Sequence, residues 1–277
     1  MRRFAAVLAL LLAGCAGGGA VPPPAGQGGP TIVSLNPCTD AILAEVTTPG
    51  QLLAISHYSK DPRSTSMPAA QAARYPATGG TVEEILALAP DIVVGSTFMA
   101  PTTRAALDDL GLRVVTFGST NSVEESEVQV RDLAALAEHP AKGAALVARM
   151  EAALQAAQPP RGAMIEAALW QPSGIVPGEA SLVSDLLRRT DFASYSKRRG
   201  MAQADYLSLE QVVADPPDVL LVAGGEAGQR HPVLGKMHDM QRERFDTRLI
   251  YCGGPTVIRA AERLAEIRRK AAARTPS

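Results

Sequence analysis

Cys38, Asp40 and His57 lie close together in the chain, and a thiol, a carboxylate and an imidazole are the raw material of nucleophilic catalysis. Cys38 also stands where a first helix should begin, and a helix N-terminus lowers the pKa of a thiol. One reading is therefore an exported α/β enzyme with a thiol in its cleft. No third partner follows at a recognisable spacing, which weighs against it. His231, His238 and Asp239 could suggest a metal site, but no HExxH pair and no Cys/His cluster accompanies them. They read as surface residues. GxGxxG, Walker and GxSxG motifs are absent as well, so nucleotide and hydrolase chemistry lack support.

Other residues suggest recognition instead. Asn36, Tyr58, Phe98, Trp170 and Gly253 each fall just after, or at the end of, an apolar run that reads as a strand. In open α/β sheets, ligands bind beyond the carboxyl ends of the strands. A flat ring at such a place can stack on a planar ligand. Tyr58 accordingly lines a cleft or caps a sheet edge. Trp170 is the only tryptophan and Gln171 follows it; this ring either stacks on a ligand or closes a core. Arg188, Arg189, Lys197, Arg198 and Arg199 form a basic stretch, which by itself reads as a solvated loop.

The elements that must hold these residues alternate. Strands are expected at 31–35, 52–56, 92–96, 113–117, 164–170, 219–223 and 248–252, with helical spacing between them, for example at 102–110 and 257–267. Such alternation predicts βαβ units and an α/β fold. A repeat divides the chain. Residues 82–94 (VEEILALAPDIVV) match 209–221 (LEQVVADPPDVLL) without a gap, the offset from Pro90 to Pro217 being 127 residues. Each copy opens with a capping box, Thr81 with Glu84 and Ser208 with Gln211, and each enters a strand after a proline. Two similar lobes are the natural result. Between them, 141–157 is rich in helix formers and predicts a long helix that crosses from lobe to lobe.

Composition narrows the functions. With 46% hydrophobic and 20% charged residues and a net charge of −1, the chain is an ordinary globular protein and offers no field for nucleic acid. Arg2 and Arg3 precede an apolar run that ends in Leu12-Ala13-Gly14-Cys15. This is a secretory leader, too short to span a bilayer, and its small residues before Cys15 resemble a lipobox. Residues 1–14 are thus expected to be removed, Cys15 to carry lipid, and 15–30 to be a flexible tether. Cys38 and Cys252 remain. They lie 214 residues apart, in different halves, and are expected as two separate buried or cleft-lining thiols rather than a bridge.

The opening Ile32-Val33-Ser34-Leu35-Asn36-Pro37, the segment Ser56-His57-Tyr58-Ser59 and the doubled Glu-(x)6-Pro-Asp unit together resemble the helical-backbone substrate-binding proteins of bacterial ABC importers. The resemblance runs from residue 31 to about 267. It implies two Rossmann-like lobes, 31–138 and 161–277, joined by one long helix within 139–160, with a ligand cleft between the lobes. It implies no catalysis and no cofactor, but capture of a ferric siderophore, a corrinoid or haem, and delivery to an ABC permease dimer with its ATPase. The only membrane contact it implies is the lipid anchor, on the periplasmic or outer side. Tyr58 matches a cleft tyrosine of the cobalamin binders; Asn36, Phe98, Trp170, Gln171 and Arg198 fall in segments that border the cleft. Glu83 and Glu210 match carboxylates that dock onto arginines of the permease. The cobalamin binders carry more cleft tryptophans than this chain, and a charged aromatic segment where it has Tyr251-Cys252-Gly253-Gly254-Pro255.

Overall fold

The computed structural model describes residues 28–159 and 164–274. The leader 1–14, Cys15 and nearly all of the tether lie outside the described residues. The first lobe contains β1 (Ile32–Ser34), α1 (Pro37–Val46), β2 (Leu52–Ser56), α2 (Ala69–Ala72), β3 (Ala77–Thr78), α3 (Val82–Leu88), β4 (Ile92–Ser96), α4 (Pro101–Asp109) and β5 (Arg113–Phe117). Its strands pair in parallel in the order β3-β2-β1-β4-β5. Two helices come next, α5 (Val123–Leu136) and α6 (Pro140–Ala157).

The second lobe contains β6 (Ile165–Trp170), β7 (Ile175–Pro177), α7 (Leu182–Arg189), β8 (Phe192–Ser194), α8 (Tyr195–Arg198), β9 (Ala204–Tyr206), α9 (Leu209–Ala214), β10 (Val219–Val222), β11 (Gln241–Arg244) and α10 (Thr256–Ala272). A parallel sheet runs β11-β10-β6-β8, and β7 pairs antiparallel with β9. The α/β class and the two lobes joined through a long helix are therefore present.

The edge strand of the second lobe differs from expectation. Residues 248–252 are not a strand, and 247–249 form a 3-10 turn. The edge is Gln-Arg-Glu-Arg of β11, whose polarity hid it from an apolar pattern and suits an unpaired sheet edge. The two repeat copies also differ at their caps. Ser208 and Gln211 make the full reciprocal box. Thr81 caps the Glu84 N–H, but the Glu84 carboxylate accepts from the Gly79 N–H and the Thr78 hydroxyl, both at 2.7 Å. It seals the β3–α3 loop instead.

The 18 residues of α6 span about 27 Å at 1.5 Å per residue. Leu146, Val147, Met150, Leu154 and Ala157 form one buried face, which packs against α5 and α10. Gly143 allows the close approach to α5, because a Cβ there would collide with Ala134. The helix is a central wall rather than a bare strut. The main apolar core runs through it, from Ile32 and Leu43 by way of Leu133 and Met150 to Leu186 and Leu264. Each such side chain contributes roughly 1.5–3 kcal/mol of burial.

The expected pair of free thiols is corrected. Cys38 and Cys252 form a disulfide, with Cα atoms 5.1 Å apart. Packing of α10 on α6 brings the preceding loop back over the start of α1, so the long sequence separation closes in space. Cross-linking so long a loop contributes roughly 5 kcal/mol in the chain-entropy account.

Candidate functional site

Both main sheets reverse strand order at a point where crevices form. The first reverses between β1 and β4, the second between β6 and β10, and ligands bind at such switch points. In the first lobe, the loop after β1 carries Asn36. Its Oδ1 caps α1 by accepting from the Cys38 N–H at 2.8 Å, so only its amide nitrogen is left to face a ligand. The loop after β4 carries Phe98, which is 83% exposed. Its N–H donates to the Ser96 hydroxyl at 3.1 Å. Gly95 leaves room for Met99, which packs where a Cβ would collide with it. With Met99 turned inward, Phe98 is left facing solvent.

Tyr58 sits on a 3-10 turn directly after β2 and is 54% exposed, its ring 4.0 Å from that of His57. The turn is held from beneath. Asp40 is fully buried, and its Oδ2 accepts from the Ser56 N–H at 2.9 Å and the Ser59 hydroxyl at 2.7 Å. Burial pushes the Asp40 carboxyl up to about 7, against the pull of its serine hydrogen bonds. Lys60 ties the far end of the turn to the Tyr75 carbonyl at 2.6 Å. A rigid turn presenting a phenol can meet a ring or an iron atom.

The second lobe contributes differently. Trp170 is only 3% exposed, packs in the core of that lobe, and donates its indole N–H to the Leu207 carbonyl at 2.8 Å. Trp170 thus serves first as a core ring of its lobe; it also lines the concavity described below, but at 3% exposure it offers little surface for the stacking expected of it. The neighbouring Gln171 is half-buried, and its backbone N–H bonds Ile175 at the start of β7. Arg198 is corrected. Its guanidinium bonds Glu166 at 2.6 and 2.9 Å and Asp215 at 3.0 and 3.1 Å. Glu166 is the second residue of β6, so Arg198 lies at the amino end of the sheet, away from the switch point. Arg188, Arg189 and Arg199 are likewise paired with carboxylates.

Two aromatic residues outside the expected set are exposed near these loops. Tyr251, 46% exposed, precedes the bridged Cys252 and is thereby tied to the start of α1 beside Asn36. Tyr206, 69% exposed, ends β9 and lines a concavity of about 340 Å³ with Ser173, Gly174 and Glu226. That concavity opens at the carboxyl ends of β6 and β10. Others, of about 430 Å³ beside Pro49 and Leu52 and about 300 Å³ beside Met164 and Asp218, lie at the amino ends of the sheets. The disulfide was the missed signal for Tyr251.

Glu83 and Glu210 are both exposed, at the second positions of α3 and α9. Glu210 is held below the ordinary range by its own backbone N–H and by the Ser208 hydroxyl. The catalytic reading loses its nucleophile, because Cys38 is bridged, and its carboxylate, because Asp40 bonds serines and not His57. Among the described residues, no group of three His, Cys, Asp or Glu could hold a metal ion, and no helix is long and apolar enough to cross a membrane.

Known proteins give a consistent picture. Residues 32–249 match the family described as periplasmic binding protein. A periplasmic heme-binding protein of Roseiflexus sp. RS-1 in apo form superposes with a TM-score of 0.68 at 22% identity, covering 88% of this chain and 100% of its own. A periplasmic heme-binding protein of Vibrio cholerae gives 0.68 at 17% identity, over 86% of this chain and 98% of its own. The periplasmic vitamin B12 binding protein of the same organism gives 0.63 at 18% identity, over 87% and 97%. No curated protein sequence matches the chain.

Proposed function

This chain belongs to the periplasmic binding protein family, and from that premise we propose that it captures a metal chelate outside the inner membrane and hands it to an ABC permease dimer with its ATPase. The chelate is a tetrapyrrole, haem or a corrinoid, with a ferric siderophore as the second reading. The observation that carries this is the half-exposed Tyr58 on its clamped turn, with Phe98 at the neighbouring switch point. Exposed rings on a rigid sheet edge favour a flat, conjugated ligand, and a phenol oxygen suits a ferric centre. The haem and vitamin B12 binders of the same fold support that ligand class. The protein acts by binding alone. The Leu-Ala-Gly-Cys ending of the leader supports a lipid anchor at Cys15, and the offset pair Glu83 and Glu210 supports docking of one lobe on each half of the permease, where charge would set register.

Visible absorption tests the ligand. Purified protein should shift the spectrum of added haemin or cyanocobalamin, or failing these a ferric hydroxamate, at one equivalent. Tyr58→Ala should weaken that binding at least tenfold. No spectral change and no measurable binding with any of the three would overturn the proposal.

A further inference from the structure

Loop 251–254 belongs by sequence to the second lobe, yet it is seated on the first. The Gly254 N–H donates to the Ser126 hydroxyl of α5 at 2.6 Å. A Cβ on Gly253 would collide with Ser126, and one on Gly254 with Ile42 of α1, where the backbone adopts φ +59. Cys252 is buried, and its bond to Cys38 joins this loop to the first turn of α1, two residues after Asn36. Tyr251 therefore stands beside the carboxyl end of the first lobe's sheet, next to a residue bonded covalently to α1. On its own lobe the loop lies between a 3-10 turn capped by Asp246 and the first turn of α10, where the Thr256 and Val257 N–H groups donate to the Gly253 and Gly254 carbonyls at 3.4 and 3.0 Å.

We propose that the Cys38–Cys252 disulfide is a positioning clamp for the ligand site, and that the site is complete only when the bridge is oxidised. The bridge fixes loop 251–254, and with it Tyr251, as one wall of the cleft. A dithiol opens it by transferring two electrons and two protons: the S–S bond breaks, thiols form on Cys38 and Cys252, and the dithiol closes to its own disulfide. The lobes stay joined, because other contacts between them do not involve sulfur. Asp185 of α7 accepts from the Val123 N–H at 2.9 Å, Arg189 pairs with Glu124, and the core runs through both lobes. Disulfides form in oxidising compartments outside the cytosol. The unexported chain thus keeps an incomplete site, and capture begins where the ligand is to be met. This rests on the binding function proposed above.

The test compares the oxidised protein, the same protein reduced with dithiothreitol, and the Cys38→Ser, Cys252→Ser variant. Haemin or cyanocobalamin is titrated in each, and hydrogen exchange is measured by mass spectrometry. Reduction should accelerate exchange at 251–254, leave the protection of α5 and α6 intact, and weaken binding about tenfold, with recovery on re-oxidation. Equal affinity in both redox states would reduce the bridge to a structural brace and overturn the proposal. Two titratable thiols in the protein as exported would do the same. If the double variant does not fold, the reduced wild type supplies the comparison. If no chelate binds, the function is at fault, and unchanged protection of 251–254 on reduction still refutes the clamp.

Discussion

In the first lobe the strands end in rings that reach solvent, Tyr58 and Phe98; in the second, β6 ends in Trp170 and buries it. The two lobes share a helix–proline–strand unit, so the difference comes from the segments that succeed the strands. After β2 and β4 come tight turns, pinned by Asp40 and by Ser96 and Met99, that leave Tyr58 and Phe98 exposed. After β6 the chain makes the β7–β9 pair, and the carbonyl of Leu207, just past β9, receives the indole N–H. The lesson is that aromatic type does not make a ring accessible; the absence of a covering element does. The second lobe instead places an exposed ring, Tyr251, next to the disulfide that joins its loop to α1.

Four results would break or sharpen that contrast, the largest first. Trp170→Ala should destabilise the protein by about 3–5 kcal/mol, as for other large buried rings, yet leave the affinity of the folded fraction unchanged. Chemical denaturation and ligand titration would show both; a tenfold loss of affinity would restore Trp170 to the site. Asp40 comes next. Its carboxyl, pushed up to about 7, keeps in the folded state a proton that the unfolded chain releases near pH 4. Its contribution is therefore most favourable below pH 4 and declines as pH rises towards 7, by about 1.4 kcal/mol per unit. Asp40→Asn should remove this slope, seen as a difference in denaturation midpoints across pH 4–7 that grows with pH.

Tyr58→Ala should behave as the mirror image of Trp170→Ala. Stability should stay within about 0.5 kcal/mol, as for most exposed sites, while ligand affinity falls tenfold or more. Equal stability and equal affinity would leave Tyr58 a sheet-edge cap. The smallest effect on the isolated protein is expected from Glu83→Gln with Glu210→Gln. Loss of the helix-dipole interaction costs about 0.3–1 kcal/mol per site, ligand binding should not change, and transport in cells with the partner permease should fail. Full transport would reduce both carboxylates to helix-terminal charges.

Much of the frame was legible in the sequence, because buried parallel strands read as apolar runs and their capped helices as periodic ones. Residues 52–56, 92–96 and 113–117 are strands as expected, and the repeated unit marked the two lobes. The departures share a cause. The bridge of Cys38 to Cys252, the cover over Trp170 and the pairing of Arg198 with Glu166 and Asp215 are tertiary meetings of segments far apart in the chain. No local period encodes them. The β11 edge, Gln-Arg-Glu-Arg, was hidden for the opposite reason: its local pattern is that of a solvated loop.

The most direct measurement of where the ligand sits is hydrogen exchange with and without bound haemin or cyanocobalamin. Protection should rise together at 56–60, 96–99 and 251–254, the three loops that carry Tyr58, Phe98 and Tyr251. Protection confined to 204–209 and 226–229, around the concavity beside Trp170, would contradict the account.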